Sequence, residues 1–260
     1  MSAPAPVISA DLRATLRRLK LGQVLGTLPE RLLLASAHGL GHGEFLELVL
    51  SDEVCRRDRT SAALRAKAAH LDPTMTLEAW DPSSEVSYDR AVLDELVSMR
   101  FVEAAQNVFV LGPVGVGKTF IATALGHVAC RRRVKAHFER ADRLFRRLKT
   151  ARLDASYDAE LRKLIGADVL IIDDFALQRL DSTETQDFYE LVVERHKVAA
   201  TVLTSNREPA EWLTMLADPL LAQSAVDRLQ SSAWELVIEG ESYRQRERPA
   251  VGDPSKKART

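Results

Sequence analysis

The sequence predicts an α/β fold, a parallel sheet with helices on both faces, preceded by a small all-α segment. Three observations carry this. Residues 107–119, NVFVLGPVGVGKT, set a short apolar run before a glycine-rich loop that fits G-x-x-x-x-G-K-[ST], and a proline-free stretch of helix formers follows. Fifty-five residues after Lys118, the apolar run 169–172 ends in two carboxylates, Asp173 and Asp174. Further candidate strands at 134–138, 199–204 and 233–238 are separated by helical patterns, as in a sheet built from βαβ units.

The bulk numbers set outer bounds. At 260 residues the chain has room for one large domain, or a small and a medium one. Its 46% hydrophobic content suffices for a packed core, and a net charge of −1 implies no class of partner. Cys55 and Cys130 form no CxxC or Cys/His cluster, which fits a reduced, cytoplasmic protein without structural zinc. No apolar run reaches the roughly eighteen residues of a membrane span. The opening MSAPAPVISA lacks the basic region and apolar core of a signal peptide, so residues 1–10 read as a loose tail, as do 249–260.

Residues 11–71 are expected to be helical. Leu12, Leu16 and Leu19 recur at helical spacing among basic residues. Breaks are expected at 28–30 (Leu-Pro-Glu) and 39–43 (Gly-Leu-Gly-His-Gly), and then one or two helices over 44–70. The core domain does not need this segment, so it is read as a docking module; a solvated amphipathic face is the plainer alternative. His38 and His42 lie four apart, but glycines between and beside them argue against a helical metal pair. Residues 72–84, with Asp72-Pro73 and Asp81-Pro82, form a linker carrying Trp80, which packs either beside a bound base or against the domain edge. The second domain then runs from 85 to 248, opening with a helix over 88–103.

The phosphate loop explains its own residue types. Backbone N–H groups can surround a triphosphate only where side chains are absent, hence Gly112, Gly115 and Gly117. The following helix directs its positive end at the phosphates. The binding segment is Gly112, Pro113, Val114, Gly115, Val116, Gly117, Lys118, Thr119 and Phe120. Lys118 should reach the β- and γ-phosphates, and the Thr119 hydroxyl should ligate Mg²⁺. Asp173, at the C-terminal edge of a central strand, should hold the same metal, and Asp174 should polarise the attacking water; a turn or cap residue is the plainer reading of Asp174. Asn206, ending the strand 199–204, is placed to orient that water, although Asn there often only forms a turn.

Between Arg131 and Arg152 ten basic residues face two acidic ones. A helix over 140–152 would turn Leu144, Phe145 and Leu148 inward and Arg143, Arg146, Arg147 and Lys149 outward. With Arg140, these form a candidate contact to double-stranded DNA through phosphates, without strong sequence specificity. Salt bridges to the acidic stretch that follows are the alternative. Helices over 185–198 and up to Leu229 complete the pattern.

GPVGVGKT, LIIDD, TSN, VDRL and GESYR, in this order and spacing, resemble the IstB-like insertion-sequence ATP-binding proteins, transposition helper ATPases of the AAA+ superfamily related to DnaC and DnaA. The resemblance implies an AAA+ core with strand order 5-1-4-3-2 and no full C-terminal lid. It implies ATP as the nucleotide, Asn206 as the sensor-1 residue, and Arg228 as an arginine finger for a neighbouring subunit. It also implies a homo-oligomer with ATP at its interfaces, assembled on DNA, and a partner transposase reached through the N-terminal segment. A DnaC-like helicase loader is the alternative. Asp174 stands where many relatives have Glu and Ala176 where they often have Gly; Arg244 is a weak sensor-2 candidate.

Overall fold

A computed structural model describes residues 7–81 and 86–243. The chain divides into two compact units, 1–63 and 64–260. Helix α1 (Ala10–Arg18) starts at Ser9, whose side chain accepts the Leu12 N–H, and a 3₁₀ turn follows at Gly22–Gly26. Helix α2 (Leu28–His38) places Pro29 in its first turn, where a missing N–H costs nothing. The expected break at 28–30 is therefore a helix start. Gly39, at φ +63°, ends α2 in the left-handed conformation, and α3 (His42–Ala68) runs as one helix. The division at Ala63 falls inside α3, earlier than the domain boundary at 71 expected from sequence. In the first unit Ile8, Val24, Leu28 and Val49 form the core, flanked by Leu16, Leu25 and Phe45. Glu53 is buried beneath Arg56 and Arg57; the bond from Arg56, foremost, holds its carboxyl down at about 2 against the opposing effect of burial.

The second unit is built on five parallel strands: β1 (Asn107–Leu111), β2 (Ala136–Arg140), β3 (Val169–Asp173), β4 (Ala200–Ser205) and β5 (Ala233–Val237). Their order is β2-β3-β4-β1-β5, which read from the other edge is 5-1-4-3-2. β1, β3 and β4 are buried along their whole length, as central strands covered on both faces must be. Alternation sends Phe109 and Leu111 to one face, with Leu144, Phe145, Leu148, Phe188 and Val226. Val108 and Val110 go to the other, with Leu96, Ile121 and Leu125.

The longer helices lying wholly in this unit are α4 (Arg90–Val97), α5 (Lys118–Arg131), α6 (Ala141–Leu153), α7 (Tyr157–Ile165), α8 (Ser182–Arg195) and α9 (Pro219–Gln230), and single turns occur at Arg100–Glu103 and Pro209–Trp212. The single helix expected over 88–103 is interrupted by Met99 at φ +63°. Helix α8 begins earlier than expected because Asp181 and Glu184 form a reciprocal capping box. A two-residue antiparallel pairing joins 86–87 to 239–240. The described end of the expected linker is ordered onto this core through Leu77 and Trp80. No described helix is long and apolar enough to cross a membrane.

Candidate nucleotide-binding site

The loop 112–117 leaves β1 and enters α5 at Lys118. Gly112 has φ +144°, and a Cβ there would lie 2.1 Å from the Ile238 carbonyl oxygen. Gly117, at φ +101°, would drive a Cβ to 2.6 Å from the Trp80 ring. Glycine is thus required by conformation and by space. Lys118 is buried, and its ammonium donates to the carbonyls of Gly112 (2.8 Å) and Pro113 (2.7 Å), so its charge lies within the loop. A cavity of about 340 Å³ opens on this loop. Residues 114–120 line it with Asp174, Asn206, Trp80 and Tyr243. Its mouth is aromatic: Trp80 lies 5.2 Å from Phe120 between ring centroids and donates its indole N–H to the Tyr88 hydroxyl.

Asp173 ends β3 and is 2% exposed. Burial pushes its carboxyl above the ordinary range, and the hydrogen bond from Thr204, the strongest opposing influence, pulls it back. The Thr119 hydroxyl donates to the same carboxylate at 2.9 Å. A buried carboxylate beside a hydroxyl is an oxygen donor set short of positive charge, which fits Mg²⁺. Asp173 and Thr119 would hold that ion, and it would supply charge neutralisation to a polyphosphate. Asp174 leaves the strand at φ +56° and is half-exposed, its Oδ2 3.5 Å from Arg140 Nη2. Ala176, also at φ +56°, occupies a position that suits glycine.

One cavity therefore gathers Lys118, Thr119, Asp174 and Asn206, and Thr119 links it to Asp173. Arg228 is not among its lining residues. It sits on α9, donating to the Ser224 carbonyl at 2.8 Å, with its guanidinium 5.8 Å from the Tyr189 ring. On the basic helix, Arg140 faces Asp142 at 3.3 Å, Lys149 pairs with Asp181 at 2.9 Å, and Arg147 bonds both Glu139 and Glu160. Arg143 is exposed, and Arg146 is 75% exposed with Asp142 at 3.7 Å. Much of the local positive excess is thus met by neighbouring acids. Arg244 lies outside the described residues. Two contributors escaped the sequence reading: Tyr243, inside the quoted GESYR, and Thr204, inside TSN.

The profile of the family described as IstB-like ATP binding protein matches residues 14–250. A Mycobacterium tuberculosis protein described as ATP-binding and located in an insertion sequence is 36% identical over 239 residues, 92% of this chain and 95% of its own. The ATP-binding protein of insertion sequence IS21 from Pseudomonas aeruginosa is 35% identical over 93% of this chain and 91% of its own. Among solved structures, the replication initiator DnaA bound to AMPPCP and single-stranded DNA has a TM-score of 0.55 at 21% identity, over 66% of this chain and 51% of that one. The DnaC helicase loader has a TM-score of 0.53 at 20% identity, over 64% of this chain and 97% of that one. These likenesses bear on the fold alone, a five-stranded parallel sheet carrying a phosphate loop, with helices on both faces.

Proposed function

The chain belongs to the IstB-like ATP-binding protein family, and from that premise we propose that it is a Mg²⁺-dependent ATPase that assembles on DNA and recruits or activates a transposase. The observation that carries the reading is the gathering of Lys118, Thr119, Asp174 and Asn206 around one cavity, with Asp173 tied in through Thr119. Lys118 meets the phosphates, Asp173 and Thr119 hold the metal, Asp174 polarises the water and Asn206 orients it. Arg228 lies away from the cavity of its own copy, and the proposal gives it to the site of a neighbour.

In this reading residues 11–71 dock the transposase, residues 85–248 form the ATPase domain, and the protein works in the cytoplasm on double-stranded DNA without strong sequence preference. The likeness to the DnaC helicase loader keeps loading of a replicative helicase as a second reading. Capture with the full chain separates them: a transposase partner supports the first and a helicase the second. The central test is Lys118→Ala. It should remove ATP binding and turnover together while leaving the fold intact by circular dichroism. Undiminished nucleotide binding in this variant would sink the reading. Asp174→Asn should keep ATP binding and lower turnover by about 10²–10⁴-fold.

A further inference from the structure

We propose that Thr204 is the positioning residue that holds the two carboxylates of this site in working register, an inference that rests on the ATPase reading above. Thr204 is the penultimate residue of β4 and is fully buried. The parallel register pairs Ile172 with Leu203, which brings Thr204 alongside the end of β3 where Asp173 and Asp174 stand. Its hydroxyl donates to Asp173 Oδ1 at 2.6 Å and accepts the N–H of Asp174 at 2.9 Å. Its carbonyl accepts the N–H of Phe175 at 2.8 Å. One residue therefore fixes three successive residues of the neighbouring segment.

The chemistry leaves no freedom in that arrangement. A carboxylate only accepts and an amide N–H only donates, so the single hydroxyl proton must point to Asp173 and a lone pair to Asp174. The second bond falls where the chain turns out of the strand, with Asp174 at φ +56°. Thr204 itself does not line the nucleotide cavity. It acts through the two aspartates that its hydroxyl bonds. Thr119 also bonds Asp173, but Thr119 lines the cavity and would be claimed by the nucleotide's metal. Thr204 is the donor to Asp173 that remains committed to orientation. Groups of this kind, standing behind a ligating carboxylate, typically govern metal affinity by 10–100-fold.

Thr204→Val keeps the shape and removes both hydroxyl bonds, and Thr204→Ser restores them. The full-length protein is titrated with Mn²⁺ in the presence of a non-hydrolysable ATP analogue, followed by electron paramagnetic resonance. Nucleotide binding in EDTA and steady-state turnover are measured alongside. Thr204→Val is expected to weaken Mn²⁺ by about 10–100-fold and lower kcat, with metal-free nucleotide binding and KM near wild type. Thr204→Ser is expected to return both to wild type. Wild-type Mn²⁺ affinity in Thr204→Val overturns the proposal, as does a Ser variant no better than Val, which would assign the effect to the lost methyl. If Thr204→Val does not fold, Thr204→Cys replaces it, with a weaker donor and intermediate affinity expected. Absence of metal–nucleotide binding in the wild type overturns the ATPase reading and this one together. An active wild type matched by Thr204→Val overturns this one alone.

Discussion

Asp173 is held between two demands. Its place at the end of a buried strand withdraws it from water, and the metal-holding role proposed for it requires it charged. The raised carboxyl has a definite thermodynamic sign. A proton is bound more tightly in the folded than in the unfolded chain, so folding is favoured below the ordinary value of 3.8. That contribution is lost as pH rises through the folded pKa. Asp173→Asn has no charge to bury and should therefore be more stable than wild type at neutral pH, without metal or nucleotide. The gap should open as pH rises above about 4. Denaturant unfolding across that range measures it, and equal midpoints at every pH would refute the claim. On the proposed metal role, Mg²⁺ with ATP should add stability to the wild type and not to the variant.

At this scale the sequence was readable where spacing is covalent. Gly112 opens the loop and Lys118 and Thr119 begin the helix it feeds, so the roles expected of them follow from neighbours in the chain. Asp173 and Asp174 stand out in the sequence as the polar close of an apolar run, Asp173 as the last residue of β3 and Asp174 just beyond it. Thr204 was not, since a hydroxyl near the end of an apolar run looks the same whether it faces a carboxylate or nothing. Its partners are 31 and 30 residues away, and only the register of β3 against β4 joins them.

Elements were legible in type and less so in their ends. The apolar run at 134–138 gives a strand at Ala136–Arg140, because Arg133 is left-handed at φ +64° and delays the chain's return to the sheet. Helix α6 follows the pattern closely, with Leu144, Phe145 and Leu148 buried as the 3.6-residue period requires. Its outer face could not be resolved from sequence, because beside Asp142 on the helix itself the acids that meet its cations come from β2, α7 and the start of α8. Arg147 bonds Glu139 and Glu160, so reversing its charge should unfold the edge of the sheet rather than report on DNA. Arg143→Glu with Arg146→Glu avoids that. The pair should leave thermal stability unchanged and weaken DNA binding equally across sequences. The slope of log affinity against log salt should flatten by about 2. Unaltered affinity would remove α6 from the DNA contact.

A second element-scale prediction concerns α3. The Glu53 carboxyl is held down to about 2, so it contributes stability above its ordinary 4.5, and this is lost as pH falls between the two. Glu53→Gln should destabilise the helical unit at pH 7 and match wild type as pH approaches 2, as followed by far-UV circular dichroism in denaturant. A gap that does not close on acidification would show that the loss is one of packing, not charge.

For the whole molecule the question is whether one copy holds a complete site. The cavity gathers the phosphate loop, Asp174 and Asn206, with Asp173 tied in through Thr119, and Arg228 is not among the residues that line it. On α9 its guanidinium is held by Ser224 and lies over Tyr189. If that guanidinium serves a neighbour, the two halves of the site reside on different copies and can be damaged separately. Arg228→Ala should bind ATP as wild type does and lose about 10³–10⁵ in turnover. Lys118→Ala should bind none. Mixed together in the presence of DNA, the two inactive variants should regain activity. A Lys118→Ala subunit can lend its intact Arg228 to the sound ATP site of an Arg228→Ala subunit. Recovery should depend on total concentration, because it requires mixed assemblies. A mixture that stays inactive over a wide concentration range, while DNA still co-sediments both variants, would confine Arg228 to its own subunit.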